Sequence, residues 1–150
     1  MLLTDTLGEH AVSKASAESL GAVDGVVIDA AGHRITAVQL GKGRKARVVP
    51  WESISGIGSA ALIVDDDESA RAPDEREQRF TGGDVGLIGS LVLSDRGNAR
   101  GKVVDLEYEE DTGRLVSIRT ESETVAADRL RAIGTYAWVV AAGDDEPAKS

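Results

Sequence analysis

Val103-Val104-Asp105-Leu106-Glu107-Tyr108-Glu109 alternates at a period of two, with Val104, Leu106 and Tyr108 on one side and Val103, Asp105, Glu107 and Glu109 on the other. That period belongs to a strand with one buried face and does not fit one face of a helix. Asp111-Thr112-Gly113 supplies turn chemistry and residues 115–120 return, so the stretch predicts a β-hairpin. The same pattern occurs earlier as residues 23–29, a turn at Ala30-Ala31-Gly32, and residues 34–40.

Sliding the chain on itself by 80 residues aligns Leu7 with Leu87, Val12 with Val92, Gly21 with Gly101, Val26 with Leu106 and Arg34 with Arg114. The offset then becomes 76, pairing Val49 with Val125, Ile54 with Leu130, Ile57-Gly58 with Ile133-Gly134 and Val64 with Val140. The four-residue difference falls at Gly41-Lys42-Gly43-Arg44, a turn, where a duplicated module best tolerates a change of length. An ordered series of matches with one gap in a turn identifies a tandem duplication. Further short strands are predicted at 46–50 and 60–65, with counterparts at 123–126 and 136–142. One helical turn is predicted within each of 51–56 and 127–132. The fold class is all-β: two small antiparallel β-barrels in tandem, since closure removes the edges an open sheet exposes. The predicted boundaries are a first repeat at 1–66, an acidic linker at 67–80, a second repeat at 81–143 and an acidic tail at 144–150. The linker region is dense in charge, contains Pro73 and lacks apolar periodicity, which reads as a solvated connector. Repeats of this size bury barely enough surface to be stable, so they should pack on each other or on a second chain, a homo-oligomer included.

Aromatic residues are 3% of the chain, which suits thin cores filled by aliphatic side chains and disfavours a small-ligand carrier. There is no cysteine, which excludes disulfides and thiolate chemistry. No apolar run approaches the ~20 residues that span a bilayer, and Met1-Leu2-Leu3-Thr4-Asp5 lacks signal-peptide features, so a cytoplasmic location is expected. The net charge of −9 divides as 0 over residues 1–64, −4 over 65–79 and −5 over 80–150. A nucleic-acid partner is therefore disfavoured, because phosphate binding needs a basic face.

Leu20-Gly21-Ala22-Val23-Asp24-Gly25-Val26-Val27-Ile28-Asp29, Gly32-His33-Arg34-Ile35 and Val48-Val49-Pro50-Trp51-Glu52-Ser53-Ile54 resemble the PRC-barrel pattern. The second copy carries the same frame in Gly101-Lys102-Val103-Val104-Asp105 and Thr112-Gly113-Arg114-Leu115, and departs from it where Ala126-Ala127 replaces Pro50-Trp51. The resemblance implies a small β-barrel that binds other proteins, as in the cytoplasmic part of the photosynthetic reaction centre H subunit and in the ribosome maturation factor RimM. It implies no catalytic residues.

His10 and His33 lie in polar turns and read as solvated, and the acidic run at 65–68 lacks the glycine and distal glutamate of a calcium loop. Trp51 and Trp138 are candidate interaction anchors, or else covers for the barrel ends. Lys42, Arg44, Lys45 and Arg47 form the densest basic cluster. It reads as a solvated loop, or as a contact for RNA or for an acidic protein surface such as Glu107, Glu109, Glu110 and Asp111 of the same or a neighbouring molecule. The expectation is a non-enzymatic adaptor or scaffold with no cofactor and no metal, whose partner is another protein and whose contact with a membrane, if any, runs through that partner. A RimM-like role in ribosome assembly and a small-ligand carrier are the alternatives.

Overall fold

The structure is a computed structural model that describes residues 1–143; the tail predicted at 144–150 lies outside the described residues. The first half contains α1 (Leu3–Thr6), β1 (His10–Ser13), β2 (Ser19–Asp29), β3 (Arg34–Leu40), β4 (Arg47–Pro50), β5 (Ile54–Ile57) and β6 (Ala61–Val64). After α2 (Glu75–Thr81) the second half supplies β7 (Leu91–Ser94), β8 (Ala99–Tyr108), β9 (Leu115–Thr120), β10 (Thr124–Ala126), β11 (Leu130–Ile133) and β12 (Trp138–Val140). Each half forms one six-stranded sheet, ordered β4-β3-β2-β1-β6-β5 and β10-β9-β8-β7-β12-β11.

The all-β class holds, with two changes to its detail. First, β1 and β6 run parallel, with Ser13 beside Val64, and so do β7 and β12, with Ser94 beside Val140. The chain between β1 and β6 is long enough for the crossover that a parallel pair needs. Second, hydrogen bonding does not close either ring. The edge strands β4 and β5 are joined by a 3-10 turn at Trp51–Ser53, and β10 and β11 by one at Ala127–Arg129. Each sheet is rolled like a barrel but open along that seam. The predicted helical turns are thus shorter than expected, and β5 and β11 follow directly.

The repeat also contains a second gap. Gly8 and Gly89, both at φ 91°, donate their N–H groups to Val23 O and Val103 O at 2.8 and 2.7 Å. These equivalent residues are 81 apart, so Ala11 matches Val92 and Ser13 matches Ser94, and the pairs Leu7/Leu87 and Val12/Val92 are displaced by one. The missing residue lies in the next turn, closed by Ser13 N–H to Glu18 O in one half and Ser94 N–H to Asn98 O in the other.

The halves meet about a pseudo-two-fold axis between Arg34 and Arg114, which form an antiparallel bridge. Ile35 N–H donates to Gly113 O (2.7 Å) and Leu115 N–H to His33 O (2.8 Å). Exchanging each residue for its repeat equivalent turns one bond into the other, as in the self-complementary interface of a symmetric dimer. Around this junction Val26, Ile35 and Val38 of one half and Leu106, Leu115 and Ile118 of the other join a single buried core. The N-terminus adds a second seam on β8: the Met1 ammonium and Tyr108 N–H bond to Tyr108 O and Met1 O (3.0 and 2.8 Å), and the Thr6 hydroxyl meets the Tyr108 hydroxyl. The expected packing of the copies therefore occurs within one chain.

One size exchange breaks the symmetry. Gly113 has φ 77°, and a Cβ there would lie 2.8 Å from Ile35 O and 2.9 Å from the Trp51 ring. Trp51 fills that space, 5% exposed and edge-on to Tyr108 with ring centroids 5.6 Å apart. Across the axis its counterpart is Ala127, and Gly113's counterpart is His33, at φ 54°, whose Nε2 meets Leu130 O at 3.0 Å. A carbonyl only accepts, so Nε2 carries the proton. His33 is half-buried and bonded, which corrects its reading as a solvated histidine; His10 is exposed and meets the Ser19 hydroxyl. At both sites the first half thus supplies the large residue and the second half the small one, but the bulk sits at the 51/127 position in one site and at the 33/113 position in the other.

This exchange generates a coupling test. Trp51→Ala should cost about 3–5 kcal/mol, and Gly113→His at least about 2 kcal/mol by collision with the indole. The double variant, which copies the His33/Ala127 arrangement, should be less destabilised than the sum by at least about 1 kcal/mol. Urea unfolding followed by far-UV circular dichroism measures all three; simple additivity contradicts the compensation.

Candidate functional site

The acidic stretch expected as a solvated linker is instead a strap across the first half. Val48 and Arg71 exchange backbone hydrogen bonds of 2.8 and 2.9 Å, which covers the outer edge of β4. The Arg71 guanidinium then holds both carboxylate oxygens of Glu77 at 2.7 and 3.0 Å. Asp74 caps α2 by accepting from Glu77 N–H, and Glu77 Oε1 accepts from Asp74 N–H in return. Arg76 donates to Ile28 O (3.0 Å), and Phe80 packs on Val27, Ala37 and Val48. Those three residues point outward from the β2-β3-β4 sheet, and their counterparts Glu107, Ser117 and Thr124 in the second half are polar. An apolar outer face on one half alone explains why the strap lies there.

Beyond α2 the strap turns at Gly82-Gly83 and runs along β2, leaving an open groove of about 490 Å³ in the first half. Its walls are apolar, from Leu7, Phe80, Val85, Leu87 and Ile88, the last 43% exposed. At its floor Gln39 is 5% exposed and donates Nε2–H to Gly41 O (2.9 Å), which fixes the amide and leaves Oε1 toward the groove. Gly25 keeps that oxygen accessible: a Cβ there would come within 3.2 Å of Gln39 Oε1 and 3.4 Å of Leu87 Cδ1. In the second half Asp105 and Arg119 stand at these two places, and Asp105 takes the Thr4 N–H (3.1 Å) and hydroxyl (2.7 Å). The groove is the unfilled counterpart of that bonded junction.

The basic hairpin forms the groove's rim. Lys42, its side chain 82% exposed, lies 3.6 Å from Asp24, an exposed pair worth less than about 1 kcal/mol. Arg44 and Lys45 are exposed on the 3-10 turn Gly43–Lys45. Arg44 also borders an adjoining hollow with Pro73, Gln78 and Asp84. Arg47 is set apart from this group, because its guanidinium donates to Leu20 O at 2.7 Å. Within one molecule the hairpin does not meet the acids of the second half: Glu107 pairs with Arg119 (3.4 Å), and Glu110 and Asp111 lie beside Ile54–Ile57.

Neither tryptophan is an exposed anchor. Trp51 fills the junction described above, and Trp138 is fully buried, donating Nε1–H to Gly86 O at 3.0 Å. Burial of the large aromatic body with its N–H satisfied is the energetically favourable outcome in so small a core. Ile88 and Gln39 were not singled out from the sequence. Gln39 sits in an ordinary strand pattern, and only the fold shows that Gly25 uncovers it.

Arg71 holds the Glu77 carboxyl below its ordinary value by hydrogen bonding, against the opposing effect of burial. A depressed carboxyl stabilises the folded form above its ordinary value of 4.5, and that contribution is lost as pH falls through the lowered folded value. Acid should therefore release the strap. Hydrogen exchange at the Gln78 and Gly82 amides, corrected for intrinsic rate, should accelerate below about pH 4. Glu77→Gln should show the faster exchange at neutral pH and lose the acid-dependent step. Pre-acid protection unchanged in Glu77→Gln contradicts the role of the ion pair.

No curated protein matches the chain. Residues 2–71 match the family model of the PRC-barrel domain, a span that runs from the N-terminal seam on β8 to the residue that seals β4. The first half of this chain, ending at Arg71, is thus similar to the PRC-barrel domain.

Proposed function

We propose that the protein is a non-enzymatic, cytoplasmic adaptor in which two PRC-barrel-like halves, fused about a pseudo-two-fold axis, present the first half's groove to a partner protein. The observation that carries this reading is the groove itself: exposed Ile88 and apolar walls beside the exposed cations Lys42, Arg44 and Lys45. A contiguous apolar surface rimmed by charge is what a protein partner covers. The cores support the same reading over a small-ligand carrier, because Val26, Val38, Leu106 and Ile118 fill the interior at 0–1% exposure and the groove is open to solvent. No described helix is long and apolar enough to cross a membrane.

The chain has no cysteine, so a single introduced thiol is a unique attachment point. Ile88→Cys and Val116→Cys, both on exposed side chains, are each given a photo-crosslinker and exposed to lysate of the native cell. A discrete protein adduct at position 88, absent at position 116 and reduced when Lys42, Arg44 and Lys45 are replaced by Ser, is expected. Equal labelling at both positions, or none, contradicts docking in the groove. A nuclease-sensitive adduct would instead favour the ribosome-assembly reading.

A further inference from the structure

We infer that the groove takes an extended peptide segment of a partner protein, one that places a branched aliphatic side chain between the apolar walls, a backbone N–H on Gln39 Oε1 and carboxylates against Lys42, Arg44 and Lys45. This deepens the adaptor reading and rests on it. The second half supplies an internal precedent. There a chain segment lies on β8 and Thr4 donates its N–H to the Asp105 carboxylate. In the first half the segment at the equivalent place offers no such bond, because Val85 donates its N–H to Arg79 O (2.9 Å). Gly25 replaces the carboxylate, and the acceptor is recessed by one strand to Gln39 Oε1, for which the described residues supply no donor.

An amide oxygen that opens onto a groove is satisfied by water or by an incoming donor. An extended backbone brings such a donor at every second residue, together with an alternating side chain that can enter the groove. The openness of the groove suits an elongated occupant more than a compact one. The hairpin fixes the sign of the flanking charge. Lys42 lines the groove and is held only loosely by Asp24 at 3.6 Å, Arg44 borders the adjoining hollow and Lys45 is exposed on the same turn, so this cationic turn stands beside the groove in a chain whose net charge is −9. Exposed pairs are weak and screened by salt, so they select the segment and speed its arrival while the apolar contact and the Gln39 bond hold it.

The probe is the synthetic peptide acetyl-Asp-Glu-Leu-Ile-Asp-Glu-amide, titrated into the full chain and followed by NMR. The comparison peptide carries Lys at the four acidic positions. The acidic peptide should perturb the Gln39 side-chain amide and the Ile88 methyl groups and bind at least tenfold more tightly than the basic one at low salt. Methylating its central amide nitrogens should weaken it by a similar factor. Gly25→Ala, whose Cβ would cover Gln39 Oε1, should also weaken it at least tenfold; Ile88→Ser on the exposed rim gives an independent variant that leaves the core untouched. Replacing Lys42, Arg44 and Lys45 by Ser should abolish the preference between the two peptides. Equal or tighter binding of the basic peptide, unchanged binding to both Gly25→Ala and Ile88→Ser, or perturbations at Gln39 and Ile88 that follow protein concentration rather than peptide would overturn the inference, the last by making a second copy the occupant. If the position-88 crosslink forms but the acidic peptide fails to compete with it, this inference falls and the adaptor reading stands; if neither occurs, both fall.

Discussion

Two reciprocal backbone hydrogen bonds, Ile35 N–H to Gly113 O and Leu115 N–H to His33 O, hold the hairpin turns of the two halves against each other. Their geometry requires both turns to pass through left-handed backbone, at His33 and Gly113, and brings Arg34 and Arg114 together on the axis. Once the turns are paired, the β2-β3 and β8-β9 hairpins must share their apolar faces, and the two thin cores become one. A module of about sixty residues gains little from burying its own surface alone. Fusing two around this junction gives the chain a core of ordinary size without a second molecule.

The departures from symmetry are as informative as the symmetry. Trp51 opposite Gly113 and His33 opposite Ala127 keep the same junction filled in two ways. The strap exists because Val27, Ala37 and Val48 make an outward apolar face that Glu107, Ser117 and Thr124 do not. The groove exists because Gly25 and Gln39 stand where the second half has Asp105 and Arg119, and because the strap and the four-residue hairpin insertion raise walls and rim around them. The first half, neutral by sequence, has thereby acquired both the cover and the opening.

Much of this was legible in the residues. The hairpins at 23–40 and 103–120 follow from the alternation at 103–109 and the turns after it, although a bulge between Val103 and Asp105 turns Val104 out to solvent, away from Leu106 and Tyr108. The duplication follows from paired glycines and aliphatics. The four-residue strands β1, β5, β7 and β11 carry too few positions for a period to show. The second gap was hidden because Leu7/Leu87 and Val12/Val92 are chance matches one residue out of register. The strap was misread because its large apolar side chain within 67–80 is Phe80 alone, too little for a period to show, while Arg71 and Glu77 look like solvated charges until they are seen satisfying each other. The tryptophans illustrate the opposite limit: residue type names an anchor, but only the fold says whether it faces in or out. Of the candidate site, the cations Lys42, Arg44 and Lys45 were recognised, whereas the groove they border is made by residues distant in sequence and left no local signal.

The central claim is that the halves form one cooperative body through the junction on the pseudo-two-fold axis. Native-state hydrogen exchange in increasing denaturant tests it at the Val38 and Ile118 amides, buried at equivalent places in the two cores. The account predicts that both exchange only through global unfolding, with opening free energies equal within about 0.5 kcal/mol and the same dependence on denaturant. If one half opens while the other stays protected, with a difference of about 2 kcal/mol or more, the halves are separate units and the shared core does not hold them.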